Sequence, residues 1–148
     1  MSDLASRPTS AFIAASWVAL LVGFVAYCIG LWNASMLMHE KGFYLTVILF
    51  GLFAAVSLQK AVRDQLEDIP VTAIYYGLSW AAVITSIVLL AVGLWNAQLS
   101  LSEKGFYVMS FLLSLFGAVA VQKNIRDVVL YERTHPKVML TKPHDDDE

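Results

Sequence analysis

The chain has 148 residues, of which 58% are apolar and only 15% charged, and its formal net charge is −2. A water-soluble domain carries about 25% charged residues, so this composition excludes an ordinary soluble fold. A near-neutral balance without a basic patch also leaves a nucleic-acid partner no electrostatic footprint.

The charges are segregated along the chain. Residues 8–38, 42–59, 69–102 and 105–122 contain no Asp, Glu, Lys or Arg. Apolar runs of 18 or more residues without charge are transmembrane candidates, and they are too long for membrane β-strands. Backbone groups in hydrocarbon must bond within their own segment, which helices achieve.

Taken in order, residues 1–9 are a short N-terminal segment ending near Pro8. The first helix is predicted at 11–32. Arg7 ahead of it gives the look of a signal peptide, but bulky Tyr27 stands where a cleavage site needs a small residue, so the span is expected to stay in the mature fold. It carries the lone cysteine, Cys28, which reads as a small apolar residue without a disulfide partner. Asn33 follows Trp32 and suits a left-handed helix end. Glu40, just ahead of the second helix, opposes the positive end of its dipole, and Lys41 can anchor to phosphate.

The second helix is predicted at 42–63. It barely spans a hydrocarbon core of about 30 Å, with Lys60 snorkelling at its end. Ile69-Pro70 then punctuates the chain, and a third helix is expected at 71–95. The alternation Gln98-Leu99-Ser100-Leu101-Ser102 reads as a connector on the membrane surface. Glu103 and Lys104 come just before a fourth helix, predicted at 105–127 or slightly beyond. In each pair the first helix is expected to be the longer. Residues 132–148 form an acidic tail ending His144-Asp145-Asp146-Asp147-Glu148, expected to be disordered.

Shifted by 63 residues, the chain repeats itself. Gly30-Leu31-Trp32-Asn33-Ala34 returns as Gly93-Leu94-Trp95-Asn96-Ala97, and Glu40-Lys41-Gly42-Phe43-Tyr44 returns as Glu103-Lys104-Gly105-Phe106-Tyr107. Gln59-Lys60-x-x-Arg63-Asp64 returns as Gln122-Lys123-x-x-Arg126-Asp127, and 19 of the 35 positions from Gly30 to Asp64 match their partners. One fixed offset of this quality marks a duplication. The expected fold is an all-α membrane protein of four transmembrane helices, arranged as two helical hairpins at 10–68 and 69–131. Two spans per repeat make the repeats parallel, related by an axis along the membrane normal. Eight Lys and Arg residues fall on the side of the termini and the central link, against Lys41 and Lys104 on the other. The positive-inside rule then places both termini in the cytoplasm.

Each polar motif has a structural and a functional reading. Trp32, Trp95, Tyr44 and Tyr107 suit an aromatic belt at the interface. Glu40, Lys41, Glu103 and Lys104 read as helix-end chemistry, or else as a polar periplasmic mouth for a ligand or partner. Lys60, Arg63, Lys123 and Arg126 read as ion-paired ends that set helix depth, as a site for anionic lipid head groups, or as a docking site for a protein partner. Small residues at four-residue spacing (Ala15, Ala19 and Gly23; Gly51 and Ala55; Ser114 and Ala118) permit close helix contact within the bundle or between protomers.

The middles of the spans lack the ionisable groups that ion-coupled transporters place there. His39, His135 and His144 lie outside the core, so no histidine is offered to an intramembrane haem. No nucleophile–base pair stands out, and no catalytic, cofactor or metal residue is assigned.

The paired Gly-Leu-Trp-Asn-Ala, Glu-Lys-Gly-Phe-Tyr and Gln-Lys-x-x-Arg-Asp elements resemble the YiaA/YiaB two-helix-domain proteins of the bacterial inner membrane. The length, the double domain and the run from Leu113 to Asp127 are most similar to the YiaA type. The resemblance spans about residues 10–127 and leaves out the tail. It implies an inner-membrane location, a multi-pass topology and a loose link to stress responses. It brings no established activity or site residue. The expected function is a non-enzymatic structural or stress-associated membrane component, acting through self-association, lipids or a membrane partner. The alternative is a small channel or transporter for a neutral or apolar solute.

Overall fold

The computed structural model describes residues 7–135. The N-terminal segment and the acidic tail therefore lie mostly outside the described residues. Within them the chain forms four helices: α1 (Ser10–Asn33), α2 (Met38–Leu66), α3 (Ala73–Asn96) and α4 (Leu101–Thr134). All four are long and apolar enough to cross a membrane. Thr9 caps α1 by accepting from the Phe12 N–H, and Thr72 caps α3 by accepting from the Tyr75 N–H. Each hydroxyl satisfies a donor that the first turn cannot pair internally.

The lengths reverse the sequence expectation. The second helix of each repeat is the longer, at 29 and 34 residues against 24 and 24. Both α2 and α4 begin about a turn earlier than predicted, and both continue past their Lys-x-x-Arg-Asp elements. Ion pairing there satisfies the charged turns, so the helix need not stop where the apolar run stops. The surface connector expected at 98–102 shortens accordingly, with Ser100 as the N-cap and Leu101 already helical. Neither Asn33 nor Asn96 adopts a left-handed conformation. Each is the last residue of its helix and donates its side-chain amide to a carbonyl four residues back, Ile29 and Val92 respectively, and the chain leaves through an extended alanine. The left-handed residue is Asp68 (φ 56°), which ends α2. The Ile69 N–H there reaches back to the Asp64 carbonyl at 2.8 Å, a Schellman closure.

The connectivity is that of two hairpins, but the packing is exchanged between repeats. α1 lies against α4 and α3 against α2, while α2 and α4 meet at the centre. Within a repeat, α1 touches α2 lightly and α3 barely meets α4. Cross-contacts set the directions. Ser16 meets Asn124 and Tyr27 meets Tyr107, so α1 and α4 are antiparallel. Gly51 faces Phe111 and Asp64 faces Arg126, so α2 and α4 run parallel. The core follows: Tyr27, Ile48, Tyr44, Tyr107 and Phe111 are buried, while the flanking α1 and α3 show long apolar faces such as Val18, Leu21, Ile29, Ile84 and Val92 to the surroundings. Small residues close the central and outer seams. A Cβ on Gly23 would lie 2.7 Å from the Ser114 backbone nitrogen, and one on Gly51 2.8 Å from the Phe111 ring. A Cβ on Gly117 would strike the backbone of Leu20.

Candidate functional site

Two polar regions flank the apolar core, one at the end holding the termini and central link, the other at the short loops.

At the terminal end, the two basic elements meet across the α2–α4 seam. Arg63 donates to Asp127 at 2.6 Å, and Arg126 donates to Asp64 at 3.2 Å. These are repeat-equivalent pairs crossed over the axis. Lys60 pairs with Asp64 at 2.5 Å and Lys123 with Asp127 at 2.7 Å, each one turn along its own helix. Glu67 joins both arginines, accepting from Arg63 at 3.1 Å and also from Arg126. The hydrogen bond from the Arg63 guanidinium, with the charge of Arg126, holds the Glu67 carboxyl below its ordinary range. The four predicted basic residues are thus brought together, but in two roles. The arginine side chains are only 18% and 28% exposed and serve as clamps, whereas Lys60 and Lys123 remain 57% and 56% exposed. Asp64 and Asp127 stood in the sequence motif; Glu67 did not, because its repeat partner is Leu130.

At the loop end, Glu40 accepts from the Leu37 N–H at 2.8 Å. Glu103 closes a reciprocal capping box with Ser100, accepting its N–H at 2.8 Å while Ser100 Oγ accepts the Glu103 N–H at 3.3 Å. Lys41 Nζ donates to the Trp32 carbonyl at 2.8 Å, tying the start of α2 to the end of α1. Glu40 and Glu103 each line a cavity of their own. Glu40, with His39, Phe43 and Asn96, lines a cavity of about 520 Å³ between the starts of α2 and the end of α3. Glu103, with Ser102, Phe106 and Asn33, lines a second of about 360 Å³ between α4 and α1.

The twice-written motifs lock the repeats together here. The Phe106 ring occupies the notch left by Gly30, and the Phe43 ring the notch left by Gly93; a Cβ at either glycine would come within 2.6 and 2.7 Å of a ring carbon. At both glycines it is a ring from the other repeat that fills the space of a Cβ. Gly42 and Gly105, by contrast, face open space. The aromatic belt is also split. Trp32 and Trp95 are 82% and 85% exposed, but Tyr44 and Tyr107 are buried and stacked on each other across the axis with ring centroids 6.1 Å apart. Tyr27 meets Tyr107 edge-on and donates its hydroxyl to the Tyr44 carbonyl at 2.9 Å. Its repeat partner is Leu90, so periodicity offered no signal for that bond. Nor did it for Asn124, which replaces Ala61 of the first repeat and donates to Ser16 Oγ at 2.9 Å while its own Oδ1 stays unpaired. Among the described residues, no group of three or more His, Cys, Asp or Glu side chains is placed to hold a metal.

The model of the yiaA/B two helix domain matches the chain twice, at residues 12–64 and 75–127. The chain is 58% identical over 127 residues to the inner membrane protein YiaA of Escherichia coli strain K12, covering 86% of this chain and 88% of that protein. It is 30% identical over 98 residues to the inner membrane protein YiaB of the same organism, covering 66% and 82%. It is 35% identical over 69 residues to the uncharacterised membrane protein YubF of Bacillus subtilis strain 168, covering 46% and 79%. No solved structure matches the chain.

Proposed function

Because this chain belongs to the yiaA/B two-helix-domain family of multi-pass inner-membrane proteins, we propose that it is a non-enzymatic membrane component that works by holding anionic lipid at its ion-paired end. Both termini face the cytoplasm in this reading, supported by the eight-to-two distribution of Lys and Arg. The observation that carries it is the division of labour at the terminal end. The crossed arginines are spent on Asp64, Glu67 and Asp127 from largely buried positions, while the Lys60 and Lys123 side chains, each paired with one aspartate, stay more than half exposed. Within the ion-pair network itself, four cations meet three carboxylates. An exposed lysine at a membrane surface contributes about 1 kcal/mol toward anionic lipid. Self-association or a membrane partner would use the apolar faces of α1 and α3.

Native mass spectrometry from phosphatidylglycerol-containing nanodiscs tests this. Lys60→Gln with Lys123→Gln is expected to release anionic lipid without changing membrane insertion; unchanged lipid retention would sink the reading. A C-terminal reporter active only outside the cytoplasm would overturn the orientation. The second reading, passage of a neutral solute, has the 520 Å³ loop-end cavity in its favour. Solute-induced swelling of liposomes carrying the protein, abolished when that cavity is filled by Ala97→Trp, would support it.

A further inference from the structure

The two outer seams of the bundle are related by the repeat but are not equally closed. At the α1–α4 seam, Gly117 lets the backbone of Leu20 approach α4 directly, and Asn124 bonds Ser16. At the α2–α3 seam the equivalent residues are Ala54, facing α3 with a methyl group, and Ala61, which cannot form the bond. α3 consequently stands further open, and a groove of about 350 Å³ runs between the helices, walled by Phe50, Phe53 and Ala54 of α2 and by Leu78, Ala82 and Thr85 of α3.

From Tyr75 to Thr85 the groove follows eleven residues of α3, or about 15 Å of helix. That is about half of a 30 Å hydrocarbon core, the depth of one leaflet. Its walls are almost wholly apolar. Its terminal end is not: Ser57 is the last α2 residue in the wall and Tyr75 the first α3 residue, and Lys60 lies one turn beyond Ser57. Asp64 beside Lys60 does not act as a bare negative charge, because Arg126 also pairs with it. On the closed seam the repeat equivalent of Tyr75 is Phe12, which has no hydroxyl to offer beside Lys123.

We propose that the α2–α3 groove is a specific site for one anionic phospholipid of the leaflet at the terminal end, with an acyl chain between Phe53 and Leu78 and the phosphate at Lys60 and Tyr75. The site rests on the reading of Lys60 as a lipid cation and adds to it a defined chain position on one seam only. Length of one leaflet, an apolar wall and a cation at the correct end together select a lipid over a second protein helix, which would need an apolar groove along its whole length.

The test uses the full chain in mixed phosphatidylethanolamine and phosphatidylglycerol nanodiscs, with a phosphatidylglycerol probe bearing a photoreactive group midway along one acyl chain. Crosslinks are expected to concentrate on the α2–α3 wall rather than on the equivalent α1–α4 residues. Ala82→Leu, which fills the groove from a partly exposed position, should abolish them. Lys60→Gln should lower labelling about fivefold, the equivalent of about 1 kcal/mol per surface lysine, and Lys123→Gln should leave it unchanged. Equal labelling of both seams, persistence of labelling in Ala82→Leu, or crosslinks joining two copies through the groove would overturn the site. If both lysine variants shed anionic lipid but Ala82→Leu does not alter labelling, the groove fails while the broader lipid reading stands. If Ala82→Leu removes labelling but neither lysine matters, the anionic specificity fails together with that reading.

Discussion

At the scale of single residues, the positions that matter most are those where one repeat departs from the other. Gly117 and Ala54 occupy equivalent places, yet only at Gly117 does a neighbouring backbone fill the space of a Cβ. A backbone cannot swing aside as a side chain can. Gly117→Ala is therefore expected to destabilise the bundle by about 1–3 kcal/mol, the usual cost of overpacking, while Gly42→Ala, facing open space, should not. Unfolding titrations in mixed micelles would measure both. Asn124 leads to the opposite expectation. Its amide bonds Ser16, but its carbonyl oxygen is buried without a partner. Interhelical hydrogen bonds in membranes average about 0.6 kcal/mol, and Asn124→Ala removes an unpaired acceptor with the bond. Its cost should stay below about 1 kcal/mol in the same titration.

Between elements, the crossed ion pairs join the ends of α2 and α4. Arg63 and Asp127 come from different repeats and share neighbours, so their substitutions should not add. In a double-mutant cycle of Arg63→Gln and Asp127→Asn, a coupling of about 0.5–3 kcal/mol is expected; strict additivity would mean that the pair contributes nothing. The network should also respond to acid. The Glu67 carboxyl titrates below its ordinary value of 4.5 because Arg63 and Arg126 favour its charged form. A depressed folded-state pKa contributes stability that is present above 4.5 and is lost as pH falls through the lower folded value. Stability followed from pH 7 downward should decline there, and Glu67→Gln should flatten the decline while lowering the plateau.

For the whole molecule, exchange of partners between repeats decides what can fold alone. A repeat by itself keeps only the light α1–α2 or α3–α4 contact and loses the seams that bury Tyr27, Tyr44 and Phe111. Residues 1–68 and 69–148 expressed as separate chains are expected to insert, and to recover each other on co-purification when made together. Halves that remain apart, each as stable as the intact protein, would contradict the exchanged packing.

The sequence by itself determined what depends on solvent. Charge-free apolar runs, and cations at one end of each pair, follow from the cost of placing charge or unpaired backbone in hydrocarbon; that cost is paid locally and can be read locally. The four helices, the paired motifs and the glutamates at helix starts were all legible for this reason. Only the tertiary structure decided which helices touch. In lipid, any apolar face is as well covered by acyl chains as by another helix, so association depends on close fit and a few polar bonds. Nothing in the local pattern says that Phe106 fills the notch at Gly30, that Arg63 reaches Asp127 rather than water, or that Tyr44 turns inward while Trp32 stays outside. The longer second helices were missed for a related reason: the length of the apolar run marks where hydrocarbon ends, whereas Arg63, Asp64 and Glu67 let α2 continue by pairing with α4.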